Sequence, residues 1–102
     1  MAQADFSLYI VRCNGGTLYT GIATDVDKRL EEHRTGRRGA KYLRGRGPIE
    51  LVFTEVAGDR IRASQLEYRV KKLPRSEKLA LIDGRRDLAD LLGDQVLGDD
   101  GA

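Results

Sequence analysis

The sequence holds one cysteine, one histidine, two prolines and no tryptophan. A single cysteine, Cys13, excludes a disulfide framework and any multi-cysteine zinc site. A lone thiol on a patterned strand fits a reducing compartment, hence the cytoplasm, where it acts as a small apolar residue. Serine–histidine or cysteine–histidine catalysis would have to be built on His33, and nothing in its spacing to Cys13 or to a serine suggests it. No apolar run approaches the roughly 18 residues of a membrane span. The start, Met1-Ala2-Gln3-Ala4-Asp5, has no basic stretch followed by an apolar one, so no secretory signal is expected. There is no Walker loop, no GxGxxG after a strand and no paired metal motif.

What is present describes one small domain. The chain has 102 residues, 40% apolar and 33% charged. It shows no internal repeat and no linker, so a single domain is expected over 6–92. The acidic end over 93–102 is expected to be disordered. The net charge of +2 hides an asymmetry. Arg34, Arg37, Arg38, Lys41, Arg44 and Arg46 fall within one stretch that has no acid, whereas acids dominate from Asp83 onward. The basic stretch is either a solvated loop or a surface that faces a polyanion. The interleaved Gly36, Gly39, Gly45 and Gly47 favour the second. Glycine lets backbone N–H groups approach an anion, and the arginine fork matches phosphate geometry.

Phe6 to Cys13 is β-branched and aromatic, which predicts a strand. Asn14-Gly15-Gly16 signals a turn, and Thr17 to Ile22 predicts the second strand of a hairpin. Thr24 is placed to cap a helix that runs to about Thr35, with Val26, Leu30 and His33 on its apolar side. Pro48 opens a third strand, Ile49 to Val56. Asp59 can cap a second helix with an apolar stripe of Ile61, Leu66, Val70 and Leu73, ended by Pro74. Ser76 to Ile82 and Asp87 to Leu92 read as two short helices. The expected fold is therefore α+β, with helices packed on a three-stranded antiparallel sheet.

Four polar side chains have placements worth weighing. Tyr9 and Tyr19 lie on the two hairpin strands. They share a face if paired positions have an even sum, as a three-residue loop 14–16 would give. Otherwise each is an amphipathic core ring. Arg29 lies on the same helix side as Val26 and His33, or is a solvated helix charge. Glu67 lies at the edge of the apolar stripe, with Ala63 one turn before it and Val70 one turn after. A carboxylate there must be protonated, bound to a cation or paired with an arginine such as Arg29.

Leu8-Tyr9-Ile10, then Tyr19-Thr20-Gly21, then Arg29, His33 and Glu67-Tyr68 resemble the GIY-YIG nuclease domain. The resemblance spans roughly residues 6 to 82 and is greatest to the small single-domain bacterial, YhbQ-like branch. Lys28 to His33, Gly39 to Pro48 and Glu67 to Leu73 are similar to that branch. The Gly39-to-Pro48 stretch also resembles a eukaryotic nuclease subunit that cuts branched DNA. The triplets depart from the family's name, reading Ser7-Leu8-Tyr9 and Tyr19-Thr20-Gly21. Both tyrosines and the second glycine are retained.

The resemblance implies metal-dependent hydrolysis of phosphodiester bonds in DNA, with DNA repair as the usual setting. It makes Glu67 the sole protein ligand of Mg²⁺ or Mn²⁺, and Arg29 the cation on the scissile phosphate. Tyr9 becomes the general base, which requires a lowered phenol pKa, and Tyr19 orients water or phosphate. His33 shares the base role or positions Tyr9. Gly21 is implied to be glycine so that backbone can approach the phosphate. Arg37, Arg38, Lys41, Arg44 and Arg46 form a substrate arm that contacts phosphates, so targets are chosen by shape, such as branches or single-strand junctions. Two rivals are a non-catalytic nucleic-acid-binding module and an adaptor that works only with a protein partner.

Overall fold

The run Leu8-Tyr9-Ile10-Val11 has no polar position, and a strand of that kind must be covered on both faces. A computed structural model, which describes residues 5–35 and 49–91, meets that requirement. Strand β1 (Phe6–Cys13) is central, with β2 (Leu18–Ala23) and β3 (Ile49–Gly58) antiparallel to it on either side. Helix α1 (Val26–Thr35) follows β2, and helices α2 (Arg60–Lys72) and α3 (Arg75–Ile82) follow β3. A final helical turn spans 88–91. This is the expected α+β architecture. The acidic end and the basic arm, with Arg37, Arg38, Lys41, Arg44 and Arg46, lie outside the described residues.

Side-chain alternation along β1 divides the core into two. Leu8 and Ile10 join Ala57, Ala63, Leu66, Val70, Leu81, Leu88 and Leu91 under α2 and α3. Tyr9, Val11 and Cys13 join Leu30 of α1 on the other face. The β1–β3 register shifts between Phe6 and Ser7 and again between Ile10 and Val11. The second shift leaves Val52 unpaired. Val52 and Phe53 therefore both pack with the α2 core, while Leu51 and Ile49 stay on the α1 side.

Local signals account for the element ends, with three revisions. Asn14-Gly15-Gly16 turns the hairpin with φ of 92° and 91° at the two glycines, a region that disfavours side chains. The cap of α1 is Asp25 rather than Thr24. Its Oδ1 accepts from the backbone N–H of Lys28 at 3.0 Å, and it stands immediately before the first helical residue. Asp59 caps α2 as expected, accepting from the N–H of Arg62 at 2.8 Å. The apolar stripe of α2, however, is Ala63, Leu66 and Val70. Ile61 is 71% exposed, because five residues before Leu66 it sits about 140° round the helix. Strand β3 also runs two residues further than expected, to Gly58.

Candidate active site

The hairpin register pairs Val11 with Tyr19 and Tyr9 with Gly21. Both sums are even, so Tyr9 and Tyr19 project from the same face, diagonal to each other. Helix α1 covers that face and brings His33 between the two rings. The Tyr9–His33 centroids are 6.3 Å apart and the Tyr19–His33 centroids 6.0 Å apart, the latter edge to face. Tyr9 Oη lies 3.1 Å from His33 Nε2. Arg29, one turn before His33, also donates to the Tyr9 hydroxyl. A phenol oxygen can accept twice and donate once, so the Tyr9–His33 bond runs from Oη to Nε2 in the Nδ1–H tautomer of the imidazole and from Nε2 to Oη in the other.

Burial sets the charges here. Tyr9 is 1% exposed. Its phenol is pushed up from 10.0 to about 12, by burial first and then by Tyr19, against the pull of Arg29. The lowered phenol that a lone tyrosine base requires is therefore not what this environment produces. Burial also holds His33 below its ordinary value, helped by Arg29 and opposed by Glu32. At neutral pH the pair is a protonated phenol beside a neutral imidazole, a donor and an acceptor already in contact.

The two charged candidates sit nearer the surface. Arg29 is 34% exposed in its side chain, and its Nη1 donates to Glu32 Oε1 at 3.0 Å. That pairing raises the guanidinium's pKa. Glu67 is 24% exposed in its side chain and pairs with Lys71 Nζ at 3.2 Å, one turn along α2. The pairing with Arg29 considered from sequence is thus replaced by a partner on each residue's own helix. Both partners stand at ordinary helical ion-pair spacings, i,i+3 and i,i+4, so the signal for them was present in the sequence. Glu67 nevertheless reaches the cluster electrostatically, its charge being the smallest of the causes that raise the Tyr9 phenol.

Gly21 has a packing reason beside the one the resemblance implies. A Cβ built on it would lie 2.5 Å from Tyr9 Oη and 2.7 Å from Tyr9 Cζ. The ring of Tyr9 occupies the space where a side chain would stand, so this glycine makes room for a phenol. A shallow hollow opens beside the cluster where β2 runs into α1, lined by Thr24, Asp25, Lys28, Arg29 and Glu32 among others. Of the described candidate residues only Arg29 lines it. Among the described residues, no group of three or more histidine, cysteine, aspartate or glutamate side chains is placed to hold a metal.

Residues 5–80 match the family described as the GIY-YIG catalytic domain. The chain belongs to the GIY-YIG family. It is 49% identical over 82 residues to a UPF0213 protein of Photorhabdus laumondii, covering 80% of this chain and 78% of that one. It is 55% identical over 75 residues to a UPF0213 protein of Pectobacterium carotovorum, covering 74% and 75%. The solution structure of the UPF0213 protein BH0048 from Bacillus halodurans is similar in fold, with a TM-score of 0.51 and 44% identity. That match covers 78% of this chain and 83% of the other. These names specify no reaction. Membership in a GIY-YIG family described as a catalytic domain points to nuclease chemistry on nucleic acid, with a divalent metal ion as the family's general requirement. Among the described residues no helix is long and apolar enough to cross a membrane.

Proposed function

We propose that the chain is a metal-dependent endonuclease that hydrolyses phosphodiester bonds in DNA and chooses its targets by shape, such as branches and single-strand junctions. The observation that supports this most is the meeting of Tyr9, Tyr19, His33 and Arg29 around one phenol that also feels the charge of Glu67. A fold alone needs no carboxylate and guanidinium whose charges both act on one buried phenol.

Arg29 is the fixed cation for the scissile phosphate, exchanging Glu32 for non-bridging oxygens as negative charge develops there. Tyr19, the more exposed ring, orients the attacking water. The proton acceptor is the Tyr9–His33 pair. As water gives a proton to Tyr9 Oη, Tyr9 passes its own to His33 Nε2, the hydroxide forms its bond to phosphorus, and the bond to the leaving sugar oxygen breaks. This path never needs a free phenolate, so a phenol pKa near 12 does not obstruct it.

Glu67 would hold Mg²⁺ or Mn²⁺. A single carboxylate at a half-covered edge suits a hard cation that keeps most of its waters. When bound, such an ion supplies Lewis-acid stabilisation of charge on the phosphate and the leaving oxygen. The Gly/Arg arm, with Arg37, Arg38, Lys41, Arg44 and Arg46, grips the flanking phosphates. The buried Cys13, the single cysteine of the sequence, fits a cytoplasmic setting, and repair of branched DNA is the matching role. A second reading, a binding module without catalysis, is favoured by one observation: Lys71 already neutralises Glu67.

Cleavage of branched and linear DNA with Mg²⁺, Mn²⁺ or EDTA separates the two. Metal-dependent cutting that falls by at least about 10²-fold in both Glu67→Ala and Tyr9→Phe is expected. Binding without cutting in every metal would establish the module instead. Cutting that survives Glu67→Ala would remove the metal assignment.

A further inference from the structure

The outward side of α2 carries an unusual set of exposed residues. Ile61, Ser64, Tyr68 and Lys72 follow one another at steps of three and four, with Gln65 beside Ser64, so they form one stripe, and all are exposed. Tyr68 is 62% exposed, and the Lys72 ammonium lies 5.0 Å from its ring centroid. Two hollows meet at this ring. One is lined by Ser64, Gln65, Tyr68 and Arg69. The other is lined by Tyr68, Arg69, Lys72, Leu73, Arg86 and Leu91. Sharing Tyr68 and Arg69, they make one groove along the helix, and none of the described residues that line it is an acid. The helix as a whole carries Arg60, Arg62, Arg69, Lys71 and Lys72 against the single acid Glu67, itself paired to Lys71.

A bared aromatic ring flanked by cations suits a polyanion with flat apolar groups. A duplex hides its base faces, whereas a single strand offers both phosphates and bases. We infer that this groove is a second nucleic-acid surface that holds a single-stranded segment, with a base stacked on Tyr68 and phosphates on Arg69, Lys72 and Arg86. Arg86 is held there by Glu77, so it is a prepositioned charge, while Lys72 moves with the strand. The inference deepens the nuclease reading and rests on it for the class of ligand. Tyr68 adjoins Glu67 in the same helical turn, so a strand in the groove runs past the proposed metal ligand. Single-strand junctions would then be preferred because their unpaired arm is gripped here.

The test is equilibrium binding of fluorescent oligothymidylate of about 20 nucleotides, and of a blunt hairpin duplex, in EDTA so that nothing is cut. Tyr68→Ala should weaken oligothymidylate binding roughly 5- to 150-fold, matching the about 1–3 kcal/mol of one base–aromatic stack. Tyr68→Phe should bind like the native chain, because the phenyl face is what stacks, and duplex binding should change less than threefold. Lys72→Ala should lessen the salt dependence of single-strand binding while Tyr68→Ala leaves it unchanged. Oligothymidylate bound equally well by Tyr68→Ala, with its melting temperature intact, would overturn the proposal. So would a failure of the native chain to bind any oligonucleotide, which would leave the groove to a protein partner. Cleavage by the native chain with Mg²⁺ or Mn²⁺ keeps the two readings apart. Binding that depends on Tyr68 in a chain that never cuts sustains the groove and removes the nuclease, and cutting with binding indifferent to Tyr68 does the reverse.

Discussion

Gly21→Ala is the sharpest probe of how the aromatic cluster is held. The added methyl would lie 2.5 Å from Tyr9 Oη, 2.7 Å from Cζ and 3.1 Å from Cε2. Ordinary contact begins at 3.4 Å, so the phenol must retreat by roughly 1 Å. Tyr9 has little room to do so, being buried among Val11, Cys13 and Leu30 and hydrogen-bonded to His33 at 3.1 Å. The shift would stretch that bond beyond hydrogen-bonding range. Overpacking of this kind costs about 1–3 kcal/mol, which in a domain this size lowers the melting temperature by roughly 4–8 °C per kcal/mol. Thermal melts of Gly21→Ala, of Tyr9→Val and of the double variant form a cycle. If the phenol is the obstacle, Gly21→Ala costs almost nothing once Tyr9 is valine, and the coupling equals the whole single-variant loss. Equal cost in both backgrounds would refute the packing account. An unchanged melt with abolished cleavage would restore the rival account, in which the glycine makes room for a phosphate.

Two further outcomes follow from the charges. Stability has a window at each end. Tyr9 ionises at about 12 folded and at 10.0 unfolded, so its contribution is full below pH 10 and is lost between 10 and 12. His33 is held below its unfolded value of 6.5, so stability is full above pH 6.5 and is lost as pH falls below it. Urea titrations across pH should show both slopes, with Tyr9→Phe removing the alkaline one and His33→Gln the acid one; an alkaline slope that persists in Tyr9→Phe refutes that assignment. Separately, the dependence of log affinity on log salt for duplex DNA should lessen by about 0.9 for each phosphate that the Arg37→Ala/Arg38→Ala variant no longer neutralises. An unchanged slope takes the basic arm out of the interface.

The architecture was legible because its signals are local. The Asn14-Gly15-Gly16 turn set the hairpin parity and so placed Tyr9 and Tyr19 together, and Asp59 announced α2. Legibility failed where a neighbour in space decides. Ile61 looked like core because it is apolar, but the helix phase set by Ala63, Leu66 and Val70 turns it outward. Thr24 and Asp25 are both competent caps, and only the first helical residue chooses between them. The role of Gly21 was hidden because the ring that fills its space comes from another strand. The phenol's raised pKa was hidden for the same reason, since burial depends on α1 lying across the sheet.

Tyr9 fills a core, covers a glycine and satisfies a buried imidazole, so the fold alone accounts for it. Its presence therefore distinguishes poorly between an enzyme and a binding module. Arg29 and Glu67 distinguish well. Each is partly exposed and forms an ion pair with a neighbour on its own helix, an arrangement worth about 0.3–0.5 kcal/mol that any surface pair could supply. Packing does not need a guanidinium and a carboxylate whose charges both act on one buried phenol, whereas the proposed chemistry, a phosphate between a cationic side chain and a carboxylate that holds a metal, does. The chemistry is thus to be sought first in the two groups that the core could most easily do without.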